Sequence, residues 1–153
     1  MPLKPLQDFL NSRNVKYVRI SHSPAFTAQE IAASAHIAGK EIAKTVIVKV
    51  DGNMTMAVLP ATRKLDLELL KQACNAHETV LASEQEFARL FPGCEVGAMP
   101  PFGNLFDMKV YVATSLTQDH EIAFNAGTHT ELIKMAYADY EKLVRPKVAR
   151  LTH

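Results

Sequence analysis

The sequence predicts a mixed α/β fold: a single domain whose mostly antiparallel, barrel-like sheet is flanked by helices. Its 153 residues are the usual length of one domain, and its composition, 48% hydrophobic and 22% charged, is that of an ordinary globular chain. Strand-like segments outnumber the helices that could serve as crossovers, which makes a parallel doubly wound sheet less favoured. No repeat or linker-like stretch interrupts the chain, so we expect residues 1–153 to form one domain.

The N-terminal quarter predicts a helix, a strand and a second helix. Apolar residues recur at helical spacing over 6–10, and the segment 15–20, VKYVRI, is rich in β-branched residues. Thr27 and Glu30 have the spacing of a capping box, in which each side chain bonds an otherwise unpaired backbone N–H, so a helix should begin there. The loop before that helix contains His22.

The segment 42–60 predicts a β-hairpin, because two apolar runs are joined by the turn sequence at 51–53, Asp-Gly-Asn. Side chains alternate between the two faces of a strand. Lys44 is therefore in phase with the apolar residues of the first strand, whereas Lys49 shares the opposite, wetter face. Burying an ammonium without a partner costs several kcal/mol, so Lys44 must snorkel from the strand end, pair with an acid or face a cleft.

The remaining elements follow from the same two periodicities. Leucines at 65–70 predict a helix, and another is expected over 84–90, where Pro92 and Gly93 stop it. The segment 94–106 is a loop rich in Gly and Pro. The predicted C-terminal elements are strands over 107–114 and 120–126, a strand or a helix start over 128–135, and a helix over 136–144.

The overall charge and the N-terminal residues limit the functional classes. A net charge of +1 does not by itself indicate nucleic-acid binding, since proteins that bind phosphates usually carry a basic surface. Residues 134–153 carry five Lys or Arg against two acids, 5 − 2 = +3, which a solvated helix end and an RNA contact explain equally well. No signal-peptide or membrane-spanning run is present, so we expect a cytoplasmic protein with no membrane partner. Cys74 and Cys94 are expected to be reduced packing residues.

Two loops have compositions suited to a binding pocket. The segment 97–103, GAMPPFG, combines flexible glycines with prolines that lack an N–H, which fits either a pocket wall or a structural turn. The segment 124–129, FNAGTH, ends a strand in a turn of small residues whose N–H groups could hold an oxyanion or phosphate. Zinc motifs, a serine nucleophile elbow, a P-loop and a dinucleotide motif are all absent from the sequence.

Taken in order, the segments 22–27, 39–48, 97–103 and 124–129 resemble the YbaK/ProX aminoacyl-tRNA deacylase family. That family is related to the editing domain inserted in bacterial prolyl-tRNA synthetases, and the resemblance covers roughly residues 15–145. It implies a mixed, barrel-like α/β domain that hydrolyses the ester joining a wrong amino acid to the terminal adenosine of tRNA. It also implies that the chemistry needs no protein nucleophile, metal or other cofactor.

The resemblance assigns roles to individual residues. Lys44 matches the functional lysine of the family, whose cation would hold the terminal phosphate or the ester carbonyl. The loop from Gly97 to Pro101 matches the loop that senses the amino-acid side chain, and Gly127 with His129 matches the turn on the other side. Around catalytic Lys44, the expected substrate-binding residues are His22, Thr45, Gly97, Ala98, Met99, Pro100, Pro101, Phe102, Gly103, Gly127, Thr128 and His129.

The amino acid removed stays open at this point. Family members that act on alanyl-tRNA(Pro) commonly carry Asn after the lysine, whereas Thr45 here resembles the branch acting on cysteinyl-tRNA(Pro). The loop at 97–101 looks more like the alanine type, so Ala, Cys, Ser and Thr are all candidates. The expected partner is the acceptor end of aminoacyl-tRNA, and the need for a synthetase partner is open. Two rivals are a non-catalytic RNA- or nucleotide-binding module, and a metal-dependent hydrolase using His22, His129 and Glu131.

Overall fold

The computed structural model describes residues 3–22 and 41–153. The helix predicted to begin at Thr27 lies outside the described residues. Within them, no helix is both long and apolar enough to cross a bilayer. The helices are α1 (Lys4–Ser12), α2 (Leu67–Cys74), α3 (Glu84–Phe87) and α4 (Tyr137–Val144), and short 3₁₀ turns lie at Ala88–Leu90, Gly103–Leu105 and Thr114–Gln118. The strands are β1 (Tyr17–Ser21), β2 (Ile42–Val50), β3 (Asn53–Pro60), β4 (Thr79–Leu81), β5 (Lys109–Ala113), β6 (Glu121–Asn125), β7 (Glu131–Ala136) and β8 (Lys147–Ala149).

These strands form one mixed sheet in the order β1-β7-β6-β2-β3-β5-β8, with β4 added beside β2. The β1–β7, β6–β7, β2–β3 and β2–β4 pairs are antiparallel, and the β2–β6, β3–β5 and β5–β8 pairs are parallel. The prediction of a mixed, mostly antiparallel α/β sheet is confirmed. Among the described residues the hydrogen-bonded path from β1 to β8 stays open and does not close into a barrel.

One edge of β2 is shared by two strands. β6 pairs with it only at Ile42 and Ala43, whereas β4 pairs with it from Val48 to Val50. The predicted hairpin is confirmed: β2 pairs with β3 from Ala43 to Val50, and Asp51 and Gly52 both adopt positive φ, at 49° and 84°.

Other segments differ from their predicted form. The ambiguous segment 128–135 contains most of strand β7, and the helix expected over 84–90 is a single α-helical turn followed by a 3₁₀ turn. Strands β4 and β8 were not predicted. Each has three residues, and a strand this short has too few residues to show an alternating pattern.

Apolar side chains cover both faces of β2. Ala43 and Ile47 pack in the larger core, which includes the aromatic residues of the loop before β5 and of β6. Val48 lies on the opposite face and packs with Leu70 of α2 in a second core. The expectation that Lys49 lies on a wetter face is therefore wrong, since Ala43 and Ile47 on that face are each 3% exposed.

Lys49 reaches solvent near the far end of β2, where its ammonium bonds the Glu86 carboxylate. Glu86 also accepts from the Ser83 N–H at 2.8 Å, completing a capping box at the start of α3. The Lys49 hydrogen bond, followed by that of the Ser83 N–H, lowers the pKa of Glu86 from 4.5 to about 2. A short helix is thus held to the sheet by one ionised carboxylate.

Glu86 should make stability depend on acidic pH. Its folded-state pKa is depressed, so its contribution is present above the unfolded pKa near 4.5 and is lost as the pH falls toward about 2. Urea denaturation should show wild type losing more stability between pH 6 and pH 3 than Glu86→Gln does. Glu84→Gln, which changes an exposed neighbour, should keep the wild-type pH dependence. An unchanged pH dependence in Glu86→Gln would refute the assignment.

A buried aromatic cluster connects the loop before β5 to α4. The Phe102 ring lies 5.4 Å from those of Phe124 and Tyr140 and 6.2 Å from that of Phe9, all measured between centroids. The Tyr140 hydroxyl donates to the Pro101 carbonyl at 2.7 Å. This bond holds the loop, because an orphaned buried carbonyl would cost the free energy of its desolvation.

The two tyrosines of α4 offer a matched pair of substitutions. Tyr140→Phe should lower the free energy of unfolding by about 1–2 kcal/mol, because it leaves the Pro101 carbonyl unpaired. Tyr137→Phe removes a buried hydroxyl that has no hydrogen-bond partner in the described part of the chain. Its stability should be unchanged or higher. Chemical denaturation of both variants checks this, and equal losses would contradict the role given to the Tyr140 bond.

Candidate active site

Lys44 lies near the start of β2 on the face of Ile42 and Val46, as the strand phase predicts. Its side chain is half-buried. Its ammonium makes no hydrogen bond or ion pair with residues 3–22 or 41–153. An unpaired, partly desolvated cation attracts an anion or a carbonyl oxygen from outside the chain.

The strand beside Lys44 adds a residue that sequence reasoning missed. Ala43 pairs with Phe124 in the parallel β2–β6 ladder, so Lys44 lies next to Asn125 at the end of β6. Asn125 is half-buried and alternates with Phe124, which puts it on the Lys44 face of the sheet. Its amide can donate to a carbonyl oxygen and accept from a hydroxyl. Only the β2–β6 register reveals this neighbour.

His22 lies directly after β1, two strands away from β6. Its backbone N–H donates to the Thr130 carbonyl at 2.8 Å, which extends the β1–β7 pairing by one step. It follows Ile20, which packs against Ile42 and Ala123 on the Lys44 face. The backbone therefore carries His22 toward the same side of the sheet as Lys44.

The two loops singled out in the sequence are joined by hydrogen bonds. The Gly127 N–H donates to the Ala98 carbonyl at 2.9 Å, and the Glu95 N–H donates to the Gly127 carbonyl at 2.8 Å. The His129 N–H donates to the Glu95 carboxylate at 2.9 Å. Residues 95–98 and 127–129 therefore form one wall.

The ring of His129 is fixed by this wall. Its Nε2 lies 2.6 Å from the Val96 carbonyl oxygen, which can only accept, so Nε2 carries the hydrogen. In the neutral ring Nδ1 is then left with a lone pair that can accept from a water or a hydroxyl. His129 itself is exposed, so a ligand can reach it.

Two glycines allow the wall to form. Gly97 has φ +86°, and a Cβ there would lie 3.3 Å from the His129 ring. Gly127 has φ +98°, and its Cβ would lie 2.9 Å from the Leu3 Cβ. Side chains at either position would be strained by the backbone and crowded by the neighbour.

The interior of the 97–103 loop is buried. Met99 is 4% exposed and Phe102 is fully buried, and both belong to the larger core with Ala43 and Ile47. These side chains lie across the sheet from Lys44. Thr45 also points to their face, because it alternates with Lys44 along β2. The remaining buried positions of the loop are Ala98, Pro100, Pro101 and Gly103, so Gly97 is the exposed member of the predicted set in this loop.

The described residues contain no group of three or more His, Cys, Asp or Glu that could hold a metal ion, so His22, His129 and Glu131 are not brought together as ligands. Cys94 is close to the wall, but burial raises the pKa of its thiol to about 11. At neutral pH it is therefore a protonated, weak nucleophile. Cys74 and Cys94 are both free thiols.

Fold and site together define a class of protein. Residues 22–143 match the model of the aminoacyl-tRNA editing domain. The chain belongs to the aminoacyl-tRNA editing domain family, which confirms the resemblance found in the sequence.

Among curated relatives, the multifunctional Ser/Thr-tRNA deacylase ProXp-y of Escherichia coli (strain K12) is 33% identical over 111 residues. That alignment covers 69% of this chain and 66% of the relative, just under two thirds of its length.

Solved structures share the fold. The hypothetical protein APE2540 superposes with a TM-score of 0.85 at 21% identity, covering 98% of this chain and all of that one. A candidate trans-editing enzyme for prolyl-tRNA synthetase gives a TM-score of 0.82 at 21% identity, covering 97% of this chain and 94% of that one. At this identity they establish the architecture of the sheet and its helices.

The contact between Gly97 and His129 can be tested against a second glycine. Gly97→Ala and Gly52→Ala should each cost about 1–2 kcal/mol, because both residues have left-handed φ. A Cβ at Gly52 would meet nothing within 4 Å, whereas one at Gly97 would press on the His129 ring. The NMR signal of the His129 ring should therefore shift in Gly97→Ala only. A similar shift in Gly52→Ala, or none in either, would contradict the wall.

Proposed function

We propose that this chain is an aminoacyl-tRNA deacylase acting in trans, and that residues 1–153 serve as one editing domain for mischarged tRNA. The observation that carries the proposal is the half-buried Lys44 ammonium, which has no partner among the described residues and lies beside the end of β6. Family membership supports the reaction class. The supported substrate is the ester of a small amino acid on the terminal adenosine of tRNA.

The reaction is ester hydrolysis. Water attacks the carbonyl carbon, a tetrahedral intermediate with an oxyanion forms, and the ribose oxygen leaves with a proton. The products are the free amino acid and tRNA with a free terminal hydroxyl. Lys44 stabilises the oxyanion or anchors the terminal phosphate, and either contact lowers the barrier without a covalent enzyme intermediate. The adenosine hydroxyl next to the ester helps to activate the water.

Other residues position the substrate. The Asn125 amide lies beside Lys44 and can bond the ester carbonyl or the ribose. His129 can accept a hydrogen bond from the water or a ribose hydroxyl through Nδ1, since its Nε2 faces the Val96 carbonyl. Gly97 and Thr128 form the accessible rim of the same wall, and His22 lines the β1 side. The buried loop residues act by shaping this rim.

Serine and threonine are the leading amino acids in this proposal. The E. coli relative is by name a Ser/Thr-tRNA deacylase. Alanine and cysteine stay in the candidate set, because Thr45 and the loop at 97–101 favour different family branches. We further propose tRNA(Pro) as the acceptor, a prolyl-tRNA synthetase as the associated enzyme and the cytoplasm as the location.

Deacylation of a panel of tRNAs carrying Ser, Thr, Ala or Cys tests the proposal. Lys44→Ala should reduce the deacylation rate by about 10²–10³-fold, the usual effect of removing one preorganised oxyanion contact. Lys49→Ala provides the matched control, because it removes a lysine from the same strand but on the opposite face, where Glu86 already binds it. The control should deacylate at the wild-type rate.

Two outcomes would overturn this proposal. Full activity in Lys44→Ala would show that the lysine is not part of the site. Tight tRNA binding without turnover of any ester in the panel would instead support a non-catalytic RNA-binding module.

A further inference from the structure

A cavity of about 260 Å³ lies at the edge of the sheet where β3, β5 and β8 end. Arg63 follows β3, Thr114 and Ser115 follow β5, and Arg150 follows β8. These three strands are parallel and adjacent, so their carboxyl ends meet at one edge and the side chains after them converge there. Crevices at the carboxyl ends of strands are common ligand sites in open sheets.

Most of the side chains that line this cavity can donate hydrogen bonds, and the two arginines give the lining positive charge. Guanidinium groups only donate, and hydroxyl and amide groups such as those of Ser115 and Gln118 can also donate. Arg63 is exposed, and its guanidinium has no hydrogen bond or ion pair within the described ranges. Arg150 has one long bond, from Nε to the Thr152 carbonyl at 3.4 Å. Such a lining suits an anion with several oxygens.

Asp66, which bonds the lining residue His153, forms no ion pair with either arginine. Asp66 accepts from the N–H groups of Glu68 and Leu69 at the start of α2, and its other oxygen bonds the His153 ring. These contacts, the Leu69 N–H first among them, hold the pKa of Asp66 below its usual value. Its carboxylate is therefore occupied by α2 and His153, and no acidic residue lines the cavity within the described chain.

The cavity shares its edge of the sheet with Lys44. β2 begins at this edge, Lys44 faces Leu59 of β3, and Val58 of β3 faces Val112 of β5. At about 4.8 Å per strand, the end of β3 before Arg63 lies about 5 Å from β2, and the end of β8 before Arg150 lies about 14 Å from it. A stacked nucleic-acid strand rises about 3.4 Å per nucleotide, so about one to four nucleotides span the distances from Lys44 to the two arginines.

We infer that the cavity between Arg63 and Arg150 binds the phosphodiester backbone of the tRNA acceptor strand, a few nucleotides before the ester held at Lys44. The inference rests on the proposed function, because it takes the RNA strand that ends at Lys44 as the ligand. The sequence left two explanations for the basic segment 134–153, a solvated helix end and an RNA contact, and this inference favours the RNA contact. Arg150 of that segment contacts RNA, and it reaches the site through the β5–β8 pairing.

The test measures binding of uncharged tRNA to the full chain across a range of salt concentrations. Arg63→Ala/Arg150→Ala should reduce the slope of log affinity against log salt by about 1–2, since two phosphate contacts are lost. With mischarged tRNA the same double variant should raise KM and leave kcat unchanged. With an aminoacyl ester of adenosine alone, which has no phosphodiester, it should match wild type. Arg63→Lys/Arg150→Lys should restore the salt slope.

The control removes two exposed cations at the opposite edge of the sheet, in Arg89→Ala/Lys109→Ala. It should bind tRNA with the wild-type salt slope. A wild-type slope in the Arg63/Arg150 double variant, or an equal loss in the control, overturns the inference. Displacement of tRNA by inorganic phosphate at equal affinity would overturn the RNA assignment in favour of a free anion. If wild type hydrolyses no ester, the proposed function fails. The salt dependence of tRNA binding still tests separately whether Arg63 and Arg150 contact RNA.

Discussion

The burial of both faces of β2 is the constraint on which the rest of the structure depends. Ala43 and Ile47 pack in one core and Val48 in the other, and β3 pairs with β2 from Ala43 to Val50. A charged residue in such a strand can be accommodated only near an end. Lys49 meets this requirement at one end through Glu86. Lys44 meets it at the other end without a partner among the described residues, which leaves its charge available for a ligand.

The loops around the site depend on a second constraint, which is the hydrogen bonding between residues 95–98 and 127–129. These segments are about 30 residues apart in sequence, and neither has regular secondary structure at the contact. Their backbone groups pair with each other and with the His129 and Glu95 side chains, so the wall keeps its shape without a strand. Gly97 and Gly127 provide the backbone conformations that this arrangement needs.

Local patterns predicted much of this fold. The turn sequence at 51–53 predicted the hairpin. The alternation of side chains along a strand correctly put Lys44 on the same face as its apolar neighbours. This alternation does not reveal that the larger core covers the other face of β2, so the prediction that Lys49 lies on a wetter face was wrong. The adjacency of Asn125 to Lys44, and of Arg63 to Arg150, arises from parallel pairing between strands far apart in sequence. Short-range periodicity holds no information about such pairings, and three-residue strands such as β8 depend on them entirely.

The limited pairing between β2 and β6 has a mechanical consequence. Among residues 3–22 and 41–153, Ile42 and Ala43 are the two positions of β2 that β6 pairs with, so two residue pairs connect strands β1, β7 and β6 to the rest of the sheet. The resistance of a sheet to shear grows with the number of paired residues across a line. Along the described sheet, the line with the fewest paired residues therefore runs next to Lys44. A shear along this line would change the separation of Lys44 and Asn125 while the pairing within each half of the sheet stayed intact.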